Sequence, residues 1–161
     1  MRIAGGLTLV AFGIAIGYAA ASQVPARSAP PAERVTGIGG VFFKAKDPRA
    51  LGVWYRDHLG FVPEPAAGNN PLFQWRERND PAQVGNTVWS LFPQDTKYFG
   101  PGGSAFMLNY RVRNLDRMLA QLKARGVRVE PEIVSEFNGR FAWATDPEGN
   151  RIELWEPKAG Y

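Results

Sequence analysis

The sequence predicts an α+β domain built from two βαβββ units. A strand candidate, a helical stripe and three further strand candidates occur in that order, and then the same order returns. The signals that delimit the two helices are nearly equally spaced: Asp47 to Asn114 is 67 residues and Gly60 to Gly126 is 66. Such a fixed interval marks an internal repeat. The chain has 161 residues, 45% hydrophobic and 21% charged. That is room for one compact domain with an ordinary core and no second one.

The elements follow in order. After Arg2 the chain carries no charge from Ile3 to Ala26, and Ala19 and Ala21 supply small residues for cleavage before Ser22. Residues 1–21 read as an export signal, or as an N-terminal anchor if uncleaved, and place the body in the periplasm or outside the cell. Residues 22–34, rich in Pro, Ala and Ser, read as a flexible linker. The folded domain is expected over residues 35–157, with a tail at 158–161. Val35 to Ala45 carries β-branched and aromatic residues and reads as a strand. Asp47 caps a helix with Pro48 at its first position, and Leu51, Trp54, Tyr55 and His58 form a stripe expected to face a core before Gly60 ends the helix. His58, at the helix end, is expected to pack or cap there. Strands are expected at Phe61 to Pro63, Leu72 to Arg76 and Thr87 to Phe92, separated by turn-rich segments.

The second unit opens with a strand at Ala105 to Val112 and an Asn114 cap. Leu115, Met118, Leu119 and Leu122 form its helical stripe, which Gly126 ends. Strands are expected at Val127 to Val129, Arg140 to Thr145 and Arg151 to Trp155, the last two joined by the turn Asp146 to Asn150. One helix and so few strands bury little alone, so the two units must pack together.

Composition removes several function classes. Without cysteine there is no disulfide, zinc ribbon, iron–sulfur cluster or thiol nucleophile, and a single histidine excludes a multi-histidine metal centre. The net charge of +4 is spread over scattered Lys and Arg residues, with no basic run interleaved with aromatics. No nucleic-acid partner is expected. The glycines at 37, 39 and 40 do not make a dinucleotide loop, because position 42 is Phe and no helix opens there.

With YRDHLGF closing the first helix and GRFAWATDPEGNRIELWEP at the end, the βαβββ pair resembles the vicinal oxygen chelate superfamily of glyoxalases, bleomycin-resistance proteins and extradiol dioxygenases. The resemblance covers about residues 35–157. It implies that each unit curls into half of an open sheet cup with the helices outside, and that the pair encloses a ligand cavity. Metal-dependent members place one ligand in the first strand and one in the last strand of each unit. In this sequence those positions fall on Gly40, Ser90, Met107 and Glu153, of which only Glu153 is a good donor. A divalent cation needs three or four donors to offset its lost hydration. The expectation is therefore no metal cofactor and a lean away from catalysis. The alternative is a divalent metal ion held by Glu153 with unexpected partners.

Strand alternation then predicts the wall of the cup. Phe42 and Lys44 share a face with Gly40, Phe92 with Ser90, Asn109 and Arg111 with Met107, and Trp155 with Glu153. These eight, Phe42, Lys44, Ser90, Phe92, Asn109, Arg111, Glu153 and Trp155, are the candidate ligand-binding residues. The wall suits a small, largely apolar molecule with a polar or anionic group. Alternatively the aromatics fill the cup, and Lys44 and Arg111 pair with Glu153 as a structural network. Three functions follow: a metal-free binding module for a small organic molecule, a metal-dependent lyase, isomerase or dioxygenase using Glu153, and a structural protein with a filled cup. The fold is compatible with a homodimer, and membrane association is expected only if the N-terminal segment stays uncleaved.

Overall fold

The computed structural model describes residues 31–161. The expected signal and most of the linker lie outside them. Eight strands and two helices form one mixed sheet: β1 Val35–Ala45, α1 Pro48–Leu59, β2 Pro63–Glu64, β3 Asn70–Glu77, β4 Asp80–Pro93, β5 Phe106–Val112, α2 Leu115–Ala124, β6 Arg128–Glu136, β7 Gly139–Thr145 and β8 Arg151–Pro157. The order across the sheet is β2-β3-β4-β1-β5-β8-β7-β6. Each unit keeps its four strands together, and the units meet where β1 pairs antiparallel with β5. The sheet is open and curled, with β2 and β6 as its edges.

The repeat interval reappears as symmetry. Gly40 lies opposite Asn109, and Phe42 opposite Met107, across the β1–β5 seam. Residues 40 and 107, and residues 42 and 109, are thus exchanged by a pseudo-two-fold. The parallel pairs agree, because Phe42 faces Ser90 in the first unit and Asn109 faces Glu153 in the second.

Both helices begin as the sequence predicts. Asp47 accepts the Ala50 amide at 2.9 Å, Pro48 opens α1, and Gly60 closes it in the left-handed region at φ 69°. Asn114 accepts the Arg117 amide at 2.8 Å, and Gly126 follows α2 at φ 75°. Their packing differs. Leu115, Met118 and Leu119 of α2 are buried against Val112, Ala142 and Leu154. No residue of α1 is buried.

The expected α1 stripe is therefore only half right. Leu51 and Tyr55 are half-buried, and the Tyr55 ring meets Trp89 at 4.4 Å. Trp54 and His58 face outward. The His58 ring stacks on Trp54 at 4.8 Å, and its Nδ1 is 2.9 Å from the Trp54 carbonyl oxygen.

Three strand boundaries shift. β2 starts at Pro63, because Phe61 turns inward to pack on Tyr55, Phe73 and Trp89 instead of pairing. β4 reaches back to Asp80 in a hairpin with β3. β6 runs on to Glu136 despite Pro131, which an edge strand tolerates where the register slips, here between Val129 and Ile133.

Candidate functional site

The concave face is built from aligned cross-strand rows. One row runs Leu72, Val88, Gly40, Asn109, Glu153, Trp143 across six strands. Its hub is Glu153, 1% exposed. The Trp143 indole N–H donates to Glu153 Oε1 at 3.0 Å, the Asn109 amide donates to Oε2 at 2.6 Å, and the Tyr98 hydroxyl donates to Oε1. All three donors are neutral. Burial pushes the Glu153 carboxyl above the usual carboxylate range, although these hydrogen bonds and the charge of Arg151 pull the other way. Burial and the adjoining Glu153 charge likewise hold the Tyr98 phenol well above its ordinary value.

Beside this row lies a cavity of about 480 Å³. Phe42, Asn109, Glu153 and Trp155 from the expected wall line it, together with Gln74, Asn86, Tyr98 and Phe141. Two amide oxygens of this wall, Asn86 Oδ1 and Asn109 Oδ1, are buried without a hydrogen-bond partner. The orientation of Asn109 is fixed by chemistry, since a flipped amide would set its oxygen against the carboxylate. Its Oδ1 lies over Gly39, where an added Cβ would come within 2.2 Å of that oxygen and 2.7 Å of the Trp155 ring.

The other four expected wall residues lie elsewhere. Phe92 packs with Phe42 at 5.5 Å and Phe99 at 5.2 Å, in a floor that includes buried Met107 and Trp143. Ser90 is half-buried opposite Phe42 and does not line the cavity. The Lys44 ammonium stands 5.3 Å over the Phe99 ring. Arg111 is drawn to Glu77, a partner from β3 that also takes Arg113 at 2.5 Å. This trio lines a separate polar depression with Lys158 and Tyr161. Strand parity gives Lys44 and Arg111 the right face but not the right height along the sheet. The expected network of Lys44 and Arg111 on Glu153 is not formed, and the basis for an anionic ligand goes with it.

Tyr98 and Asn86 were missed for different reasons. Tyr98 sits in the loop between β4 and β5, where no periodicity points anywhere. Asn86 shares parity with Val88 and Ser90, so it was readable had β4 been extended toward its true start at Asp80. Trp143, without an assigned role in the sequence, is a hydrogen-bond donor to the hub. Asp146 stabilises its turn, accepting from the Glu148 and Asn150 amides. Arg140 bridges to helix α2 through Asp116 at 2.8 and 2.9 Å.

The residues at the four family metal positions do not fit a divalent cation. The Phe42 ring covers Gly40, where even a Cβ would come within 2.5 Å of it. Met107 is buried in the aromatic floor, and Glu153 already accepts three hydrogen bonds. No group of three acidic or histidine ligands converges among the described residues.

Comparison with known proteins agrees with this architecture. No protein of curated function matches the chain. Among solved structures, methylmalonyl-CoA epimerase from Mycobacterium tuberculosis shares 24% identity at a TM-score of 0.50, covering 82% of this chain and 95% of its own. A variant of Streptomyces coelicolor methylmalonyl-CoA epimerase, in complex with 2-nitronate-propionyl-CoA, shares 18% identity at a TM-score of 0.57, covering 78% and 97%. At these identities the likeness is one of fold. The family model of the glyoxalase/bleomycin resistance protein/dioxygenase superfamily matches residues 37–154. The repeated βαβββ units, the open curled sheet and this match together make the chain a member of that superfamily.

Proposed function

We propose that this is an exported, metal-independent binding domain that takes a small, largely apolar organic molecule in its cup. The observation that carries the reading is the cavity of about 480 Å³ whose aromatic wall holds two buried amide oxygens without partners. Small-molecule sites occupy roughly 300–1,000 Å³ and fix orientation through a few polar groups in an apolar wall. Metal independence is supported by the donor set, one carboxylate already accepting three hydrogen bonds from neutral donors and a ring lying over Gly40. Export is supported by the uncharged run after Arg2.

Thermal melting of the chain across a panel of small organic compounds, once with chelator and once with divalent cations, tests it. A ligand that binds only the folded state raises the melting temperature. At least one compound is expected to raise it equally under both conditions. Stabilisation that needs the cation overturns metal independence, and silence across the whole panel makes the cup a filled structural one.

A further inference from the structure

The cup has a neighbour. A second cavity of about 360 Å³, walled by Val134, Glu136 and Trp143, shares four lining residues with it: Tyr98, Phe137, Asn138 and Phe141. Residues that line both spaces form the partition between them. Three of the four are pinned. The Tyr98 hydroxyl donates to Glu153, and its ring stacks on Phe92 at 5.3 Å. Phe141 is half-buried and stacks on Trp155 at 6.1 Å. The Asn138 carbonyl accepts the Trp155 indole N–H at 3.3 Å and the Lys158 amide at 3.1 Å.

Phe137 is different. It is 68% exposed, and the one aromatic ring it meets among the described residues is that of Tyr161, edge-on at 5.9 Å. Tyr161 lines the cup as well and is itself 38% exposed. Phe137 occupies the turn between β6 and β7, a position where Gly, Asn or Asp is the usual choice and a large apolar ring is not. The backbone beneath it is held. Glu136 pairs with Gly139 across the turn, and Lys158 Nζ donates to the Glu136 carbonyl at 2.8 Å. Gly139 is wedged in place, since an added Cβ would come within 2.4 Å of both the Glu156 carbonyl oxygen and the Trp155 indole nitrogen. The movable part of the partition is therefore the Phe137 side chain, which changes position by rotating about its own bonds, as exposed side chains do readily.

We propose that Phe137 is the residue that selects the ligand by length: its ring, leaning on Tyr161, closes the cup against the second cavity and confines it to compact, ring-bearing molecules. The proposal rests on the cup being a small-molecule site and adds the shape of what it takes. A compact fused ring fits within the cup and meets the Phe137 ring at its edge. An elongated molecule has to push that ring off Tyr161 to reach the second cavity, and so loses an aromatic contact worth roughly three- to tenfold in affinity.

Two neutral probes with one hydroxyl each, the compact naphthylmethanol and the elongated biphenylmethanol, titrated against the full chain by calorimetry, test the selection. Naphthylmethanol is expected to bind the tighter. In Phe137→Ala the partition is gone, so naphthylmethanol weakens, biphenylmethanol holds or gains, and their affinity ratio falls by about three- to tenfold. The melting temperature of the free protein stays level, because so exposed a ring carries little of the stability. Phe137→Trp keeps the ratio. Tyr161→Ala, which removes the ring that Phe137 leans on, shifts it in the same direction as Phe137→Ala. Should Phe137→Ala lower the melting temperature, Tyr161→Ala decides. An unchanged ratio, including equal weakening of both probes, or tighter binding of biphenylmethanol to the parent overturns the length selection and leaves the cup reading intact. Binding of neither probe overturns the selection, and the cup reading with it where the wider panel is silent too.

Discussion

Glu153 sets the chemistry of the site because it is a buried carboxylate whose hydrogen-bond donors are all neutral. Its folded pKa is raised, so the folded state holds its proton more tightly than the unfolded state does. The stability it lends is full below the ordinary carboxylate range and is lost as pH rises through the raised value. Glu77 behaves oppositely. Burial pushes it up, but the hydrogen bonds and charges of Arg113 and Arg111 outweigh that and leave it low. Its stabilisation is present above the ordinary carboxylate range and is lost as pH falls through the lowered value. Urea unfolding of Glu153→Gln across about pH 4 to 8 should therefore show a smaller decline of stability with rising pH than the parent protein. Parallel pH profiles would contradict the account of Glu153. Arg111→Met takes away the buried one of the two guanidiniums on Glu77, Arg113 remaining, and should cost about 1–3 kcal/mol in the same measurement. A loss under about 1 kcal/mol, the level of a surface pair, would show the pair to be solvated. Of the residues that matter here, Asn109, Glu153, Trp155 and Phe42 were legible from alternation along their strands once the family resemblance had fixed which face turns inward. Glu77 as the captor of Arg111 was not, because nothing local links residues 34 positions apart.

At the level of elements, the two helices have similar N-caps, Asp47 and Asn114, and different burdens. α2 covers a buried cluster of Val112, Leu115, Leu119 and Leu154, whereas α1 leaves Val53, Trp54 and Leu59 exposed. Leu119→Ala should lose about 2–5 kcal/mol of unfolding free energy through lost transfer and the cavity left behind. Trp54→Ala, an exposed ring that meets only the Tyr55 and His58 rings among the described aromatic side chains, should stay within about 1 kcal/mol of the parent. Similar losses in both variants would mean that α1 is packed by something other than β4. The sequence stripes could not make this distinction. Their 3.6 periodicity reports an apolar face, and only the sheet beneath decides whether that face is covered. Helix starts and stops were legible because Asp47, Pro48, Gly60 and Asn114 act locally. The ends of β2, β4 and β6 were not, because packing of Phe61 displaced the first and pairing with a neighbour extended the other two.

For the whole molecule, the repeat interval of 67 residues was the decisive sign. It returned as the pseudo-two-fold that sets Gly40 opposite Asn109 and Met107 opposite Phe42. At the four positions that the family resemblance assigns to metal ligands, the two halves have diverged. The first unit offers Gly40 under the Phe42 ring and a half-buried Ser90, while the second offers buried Met107 and the engaged Glu153. Phe92, Phe99 and Met107 pack into a closed floor, and the open cavity is lined by Asn86, Asn109 and Trp155, with Phe42 belonging to both. The filled and open readings of the cup thus each describe one part of it. The central claim is that this cup works without a metal. Its most direct test is elemental analysis of the protein purified without chelator, supplemented with divalent cations and desalted. The account predicts far less than one metal per chain. About one retained equivalent per chain, lost in Glu153→Ala, would contradict it.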